Sequence, residues 1–266
     1  MVQDELYENW KVVAKKIMRN TFLLSLIFFV VSNLNAQLRL SSESGLVFNQ
    51  YNDVRAPNSD SEQGTLFSFT DDFEADEPVI FLRLEASYTF NDQHSIILTA
   101  APLRFEYTNP TIATIDFEGQ NFQTATSEVT GSYQFNTYRA SYRYALLRRE
   151  KSRLELGLTA LLRDARIALT QNGETVENTD LGFVPLISLL FEQDFNDRLS
   201  LLVVGDALVG PVGRAEDVFV GLEFDIIPDR FFGKVGYRLI EGGADVDQVY
   251  NFAFFHFVNV GIDSEF

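Results

Sequence analysis

Charged side chains recur in this sequence inside segments that otherwise alternate apolar residues with small or polar ones. They are Arg83, Glu85, Arg104, Glu106, Arg139, Arg143, Glu155, Glu192, Asp206, Glu223, Asp225, Lys234 and Arg238. If those segments are strands, every second side chain shares a face, and the charges gather on one side of a sheet. Closed into a cylinder, that side becomes a lumen in which basic and acidic groups oppose one another. Two chemistries follow. A Lys/Arg ladder facing carboxylates across an open lumen selects small solutes. In a narrow barrel the same groups pair into a polar plug, because interiors little wider than the eight-stranded size are filled by side chains. The plug is the expected arrangement and a narrow channel or carrier the alternative.

Catalysis has little to work with. A hydrolase wants a His beside a nucleophile or between carboxylates, and the chain has only His94 and His256. His94 falls at a turn and His256 ten residues before the end, so at about 3.3 Å per strand residue they sit on opposite membrane sides. Barrel lipid A deacylases pair a His with a Ser two positions on, whereas Phe257-Val258 follow His256. An omptin-type protease needs a His beside acidic residues at the outer rim, which only His256 with Asp245 or Asp247 would supply. Asp245-Val246-Asp247, and Glu177 with Asp180, hint at calcium but fall short of its six to eight oxygen ligands. With no Gly-rich phosphate loop, Cys/His spacing or His-Glu-x-x-His motif, we expect no metal, no cofactor and no enzymatic activity.

The elements that position these residues are strands. Alternation predicts ten: Leu38–Tyr51, Pro78–Phe90, Ser95–Thr108, Thr130–Leu146, Leu154–Thr170, Leu181–Phe195, Leu199–Val209, Val218–Ile227, Phe232–Glu241 and Asn251–Phe266. Turn formers follow the even strands at Asn91-Asp92-Gln93, 147–153, Asn196-Asp197-Arg198 and Pro228-Asp229-Arg230. Longer connections follow the odd ones, at 52–77, 109–129, 171–180, 210–217 and 242–250. Short turns on one side, longer loops on the other and an even count describe a transmembrane barrel with both termini on the short-turn side. Within strand four Tyr138, Ala140, Tyr142 and Tyr144 alternate with Arg139, Ser141 and Arg143. A mid-strand Arg or Lys facing lipid would cost about 2–4 kcal/mol, so the charged face must be the inner one. Arg163, Asp164 and Arg166 break the pattern, which implies a bulge or a strand risen above the hydrocarbon. Pro102 and Pro185 inside strands imply bulges or local edges.

Composition agrees. Hydrophobic residues make up 46% of the chain, yet mean hydropathy is near zero, as when lipid-facing and lumen-facing residues average out. Twenty-five Phe and ten Tyr can furnish interfacial girdles. Residues 22–31 are an apolar run too short to span a bilayer; with Lys15, Lys16 and Arg19 before it and Ala36 after, residues 1–36 read as a signal peptide. Met18, just before Arg19, is an alternative start of translation, and 37–266 is one barrel domain. The absence of Cys excludes disulfides and a lipidated N-terminus. Removing 1–36 leaves 17 basic against 35 acidic side chains, formally −18, which excludes nucleic acid as a partner. Plain solvated acidic loops account for this balance, and the alternative is acidic loops that meet lipopolysaccharide through divalent cations.

The last stretch, NFAFFHFVNVGIDSEF, places Val258, Val260, Ile262 and the terminal Phe266 on one face of a strand. Such an ending resembles the closing strand of small Gram-negative outer-membrane β-barrel proteins, where it serves as the signal read by the barrel-assembly machinery. The segments 52–57, 64–69, Ala101-Pro102-Leu103 and 241–245 resemble uncharacterised members of that class. The Asn-Ala ending before Gln37 resembles exported proteins of the Bacteroidota. The resemblance implies an all-β, ten-stranded antiparallel up-and-down barrel in the outer membrane, with lipid and lipopolysaccharide around it. Its role would be structural or in surface interaction.

Overall fold

The computed structural model describes residues 36–75, 78–211 and 213–266. The expected leader lies outside the described residues except for Ala36, where the first strand begins. Ten strands form one antiparallel barrel: β1 (Ala36–Arg55), β2 (Val79–Phe90), β3 (His94–Ala101, continued by Arg104–Thr108), β4 (Val129–Arg149), β5 (Ser152–Gln171), β6 (Glu174–Asn196), β7 (Leu199–Gly210), β8 (Gly213–Ile227), β9 (Phe231–Val246) and β10 (Val249–Glu265). Each pairs with its chain neighbours, and β10 pairs with β1 from Arg39↔Glu265 to Arg55↔Tyr250, so the sheet has no outermost strand. Paired residues lead from Tyr51 through Phe254, Glu241, Glu216, Ala207, Ile187, Leu158, Tyr142, Ile96 and Tyr88 back to β1 at Leu38. The circuit lands thirteen residues below its start, one of them the bulged Gln50. That stagger tilts the strands about the barrel axis.

Alternation separates the faces as expected within the lower barrel. Leu82, Tyr142, Leu222 and Val260 point outward and keep 45%, 45%, 38% and 57% of their surface exposed. Arg83, Arg139, Arg143, Glu223, Lys234 and Arg238 are buried inside. A girdle of bare Leu, Ile, Val, Phe and Tyr around the whole circumference far exceeds the apolar patches of a water-soluble surface. Hydrocarbon is the solvent that suits it.

Three of the expected outer loops are instead tight hairpins. Asn172 and Gly173 have φ of 54° and 82°, the left-handed pair that a two-residue hairpin turn requires, so 174–180 is strand β6 rather than loop. Likewise β8 begins at Gly213 and β9 continues to Val246. The apolar alternation ends where hydrocarbon ends, but backbone pairing goes on above it. The long outer connections are 56–78 and 109–128. Pairing through Arg163, Asp164 and Arg166 is continuous on both sides, so β5 has no bulge there and simply rises out of the membrane. Pro102 and Pro185 both mark local edges. β2 and β3 part beyond Leu84↔Ala100, and β6 and β7 part beyond Ile187↔Ala207. A missing ladder donor costs least at such places.

Candidate functional site

The interior is built in three tiers, beginning at the outer mouth. There Phe67, Phe69 and Phe73 from the first long connection and Ile115, Phe117 and Phe122 from the second fold into the barrel. They meet the inward residues Phe105, Tyr107, Tyr133, Leu169 and Phe255. Phe69 stacks on Tyr107 with ring centroids 4.4 Å apart, and Phe105 on Phe255 at 5.3 Å. Offset stacking adds about 0.5–1.5 kcal/mol per pair to the burial of each ring. The cap is therefore a hydrophobic core of its own, above the level where lipid begins.

Beneath it lies a layer of ion pairs. Asp217 on β8 accepts from Arg139 at 2.7 Å, Arg238 at 2.6 Å and Arg83 at 3.2 Å. Arg139 also reaches Asp206 at 2.8 Å, and Arg238 reaches Glu43 at 2.8 Å. Lys234 joins Glu43 at 2.9 Å and Asp263 at 3.2 Å. Arg39 pairs with Glu223 and with Asp263. Seven strands, β1, β2, β4, β7, β8, β9 and β10, thus converge on one network. Apart from Arg39, whose side chain keeps 30% of its surface exposed, the charges have lost their water, and opposed partners and hydrogen bonds offset that loss.

The third tier is a polar cavity toward the short-turn end, lined by Glu85, Ser95, Arg143, Glu155, Glu192 and Glu223 among others. Arg143 donates to the Ser188 hydroxyl at 2.8 Å, and Arg153 to Glu155 at 2.8 Å. Glu85 accepts from Thr99 at 3.2 Å. Phe219 roofs this space because Gly221 and Gly236 leave room for its ring; a Cβ on either would stand within about 2.6 Å of it.

Of the thirteen charges expected in the lumen, the structure brings Arg83, Arg139, Asp206, Glu223, Lys234 and Arg238 into the plug. Glu85, Arg143, Glu155 and Glu192 border the cavity below it. Asp225 faces inward at the short-turn rim, half-buried and outside both groups. Arg104 and Glu106 are not in the lumen at all. They form an exposed pair on the outer surface of β3 while Phe105 and Tyr107 point inward. A charge marks the inner face only within the hydrocarbon, and this part of β3 stands above it. Sequence reasoning missed Asp217, taken as loop, and Arg39, Glu43 and Asp263, which occupy inward positions that strict alternation with Leu38, Leu40 and Ile262 would have given.

Outside, both histidines lie on the lipid-facing side among aromatics. His94 bonds Tyr142 at 2.8 Å and stacks on Phe90; His256 bonds the Tyr237 hydroxyl beside Phe254. Asp245 instead accepts from Asn58 at 2.8 Å, and no His–carboxylate site forms among the described residues. Glu177 and Asp180 are each held by an arginine, Arg166 and Arg163. Above the girdle Tyr51 donates to Glu241 at 2.6 Å, and Arg214 does so at 2.9 Å. Burial and the Glu241 bond push the Tyr51 hydroxyl up to about 12. The Tyr51 hydroxyl and then Arg214 hold Glu241 below the usual carboxylate range. Val258, Val260 and Ile262 lie exposed on the lipid face of β10, and Phe266 is exposed just past its end.

A closed cylinder with an apolar girdle, a polar interior and aromatic rims is a transmembrane barrel of the outer-membrane class. Among solved structures, one agrees on the fold with a TM-score above 0.5. The outer membrane protease OmpT of Escherichia coli matches with a TM-score of 0.52 at 11% identity, over 86% of this chain and 97% of that one. The attachment invasion locus protein Ail of Yersinia pestis matches at 0.37 and 13%, over 86% and 99%. Neisserial surface protein A matches at 0.34 and 14%, over 87% and 99%. The OmpT match is one of fold, a closed antiparallel barrel, and the apolar girdle of this chain is what suits it to a lipid bilayer. No protein-family model and no curated protein matches its sequence.

Proposed function

We propose that this is a closed, non-catalytic outer-membrane barrel that serves as a membrane-embedded support for a raised extracellular surface. One observation carries the reading: the lumen is blocked twice in series, by the aromatic cap and by the Asp217-centred ion pairs. A solute would have to displace a hydrophobic core and then separate buried charge pairs. What remains available for interaction is the outer wall, where β4, β5, β6, β9 and β10 rise above the girdle carrying Asp164, Arg166, Glu177, Glu241 and Asp245. Lipopolysaccharide is the nearest partner for that wall, with divalent cations joining its phosphates to the acidic side chains. The periodic face of Val258, Val260, Ile262 and Phe266 is the feature the barrel-assembly machinery would read. The Asn35-Ala36-Gln37 junction supports an origin in the Bacteroidota.

Planar-bilayer recording tests the closed state. The purified barrel should insert without steady conductance. A steady current that changes when Arg139 or Arg143 is replaced by Ala would overturn the reading in favour of a charged-lumen channel.

A further inference from the structure

From Glu174 to Leu186, strand β6 is paired on one side only. β5 follows it over that whole length, while β7 leaves it beyond Ile187↔Ala207 and turns into β8 after Gly210. No backbone hydrogen bond reaches the open side among the described residues, and it is the longest bare edge they contain. Elsewhere above the girdle the chain covers such edges with its own connections: Phe67–Ser68 pairs with Asp53 and Val54, and Glu74–Ala75 pairs with Tyr107 and Thr108.

The turn decides which backbone groups are open. Asn172-Gly173 closes a two-residue hairpin, so Gln171↔Glu174 is a hydrogen-bonded pair. Bonding to β5 then falls on the even-numbered residues of β6, and the odd-numbered ones turn N–H and C=O the other way. Thr175, Glu177, Thr179, Leu181 and Phe183 each present one donor and one acceptor, repeating about every 6.6 Å along the edge. Pro185, the next below, has no N–H to leave bare, so the open donors begin near the rim, where Leu181 pairs with Asp164. The strand that carries them is held in place from inside: Val176 packs against the cap, and Asn178 donates to Glu118 at 2.6 Å.

The side chains beside the edge narrow what fits it. Residues 174–183 include Glu174, Glu177 and Asp180 and no Lys or Arg. Arg163 holds Asp180, but both donors of Arg166 go to Oε2 of Glu177 and leave Oε1 open. Toward the girdle Leu181 and Phe183 stand 70% and 68% exposed.

We propose that this edge takes up an extended peptide segment of another protein as an added antiparallel strand. The segment carries Lys or Arg on its outward face beside Thr175 and Glu177, and apolar residues on that face beside Leu181 and Phe183. Main-chain bonds supply affinity and alternate side chains specificity. A lipid or a sugar has no row of donors and acceptors at strand spacing. A second copy in the same membrane fits no better. Barrel strands tilt by about 35–45°, and a two-fold axis along the membrane normal reverses the tilt, so two such edges cross instead of forming a ladder. The inference rests on the raised wall being the interaction surface proposed above and not on the sealed lumen, so a conducting barrel would leave it standing.

The barrel in zwitterionic detergent is titrated with a fluorescein-labelled peptide, Val-Thr-Val-Thr-Lys-Thr-Lys, read by anisotropy, and amide hydrogen exchange is followed by NMR with and without it. Binding should saturate, and exchange should slow at Thr175, Glu177, Thr179 and Leu181 while Val176, Asn178 and Asp180 change little. Three changes should each weaken binding about tenfold or more: N-methylation of the Val and Lys residues of the peptide, Glu in place of its Lys, and Thr179→Pro in the barrel, which removes one open N–H and leaves the β5 ladder intact. No saturable binding, equal affinity for either altered peptide, or an affinity indifferent to Thr179→Pro would overturn the proposal. Binding that leaves the odd-numbered amides exchanging freely would also overturn it, as attraction to the acidic surface alone. Protection of those amides without peptide, rising with protein concentration, would overturn it by making a second copy the occupant. If Thr179→Pro does not fold, the N-methylated peptide decides on the unaltered barrel.

Discussion

Replacing Asp217 by Asn tests whether the plug holds the barrel together. The substitution keeps size and one acceptor oxygen but removes the negative charge that three guanidiniums share at 2.6–3.2 Å. Arg139 retains Asp206 and Arg238 retains Glu43, so neither is stranded. Among the described residues Arg83 has no other salt bridge and is 5% exposed; it loses its direct counter-charge and keeps only the more distant Glu43. Breaking a buried pair from one side costs about 3–5 kcal/mol, and the loss here should fall toward the lower end of that range because one of three cations loses its one direct salt bridge. Urea unfolding in lipid vesicles, followed by far-UV circular dichroism and by the mobility of unheated samples in SDS gels, measures it. Glu106→Gln, which removes one side of an exposed pair, should cost about 0–1 kcal/mol in the same assay. If Asp217→Asn were as mild as Glu106→Gln, the interior must be hydrated enough to solvate Arg83, and the sealed-lumen argument fails with it.

Other consequences are simpler to read. Val260→Arg puts a cation on the lipid face and should lower stability by about 2–4 kcal/mol if that residue lies near the bilayer midplane, whereas Arg104→Ala, above the girdle, should be close to neutral in the same unfolding series. Phe69→Ala removes a fully buried ring of the cap and should cost about 3–5 kcal/mol, seen as early proteolysis of the 56–78 connection while the transmembrane strands stay protected. Glu241 has its folded pKa depressed, so its stabilising contribution is complete above the unfolded value of about 4.3 and is lost as pH falls through the lower folded value. Amide shifts of outer β9 should therefore titrate in the acid range, and Glu241→Gln should abolish that transition.

What the amino-acid order disclosed, and what it hid, follows from which solvent each level of the barrel meets. Ten strands and their lower faces were legible because hydrocarbon penalises every misplaced charge, which makes alternation strict from Leu82 to Val260. Glu43 was hidden because Ser41, Ser42 and Ser44 surround it, and small polar residues on both faces leave no phase to read. Asp217 was hidden because the strand containing it continues past the last lipid-facing apolar residue. Arg104 and Glu106 were misplaced for a related reason: water outside the membrane reverses the sorting, so charges move to the outer face and Phe105 and Tyr107 to the inner one. On β5 the reversal is visible in the sequence, where Arg163 faces the lumen and Asp164 the outside. Consecutive charges on opposite faces occur where both sides of the wall can supply water or a partner, and so they mark the rim. That criterion puts the rim at Asp164 on β5 and at Glu216 on β8, which pairs with Glu241 on β9. β7 and β8 are joined by a turn close to that level, while their neighbours continue upward. The parting of β6 and β7 beyond Ile187↔Ala207 is thus a consequence of one short hairpin in a wall of long ones, and lengthening the β7–β8 turn by two strand residues on each side should close that gap without altering the plug.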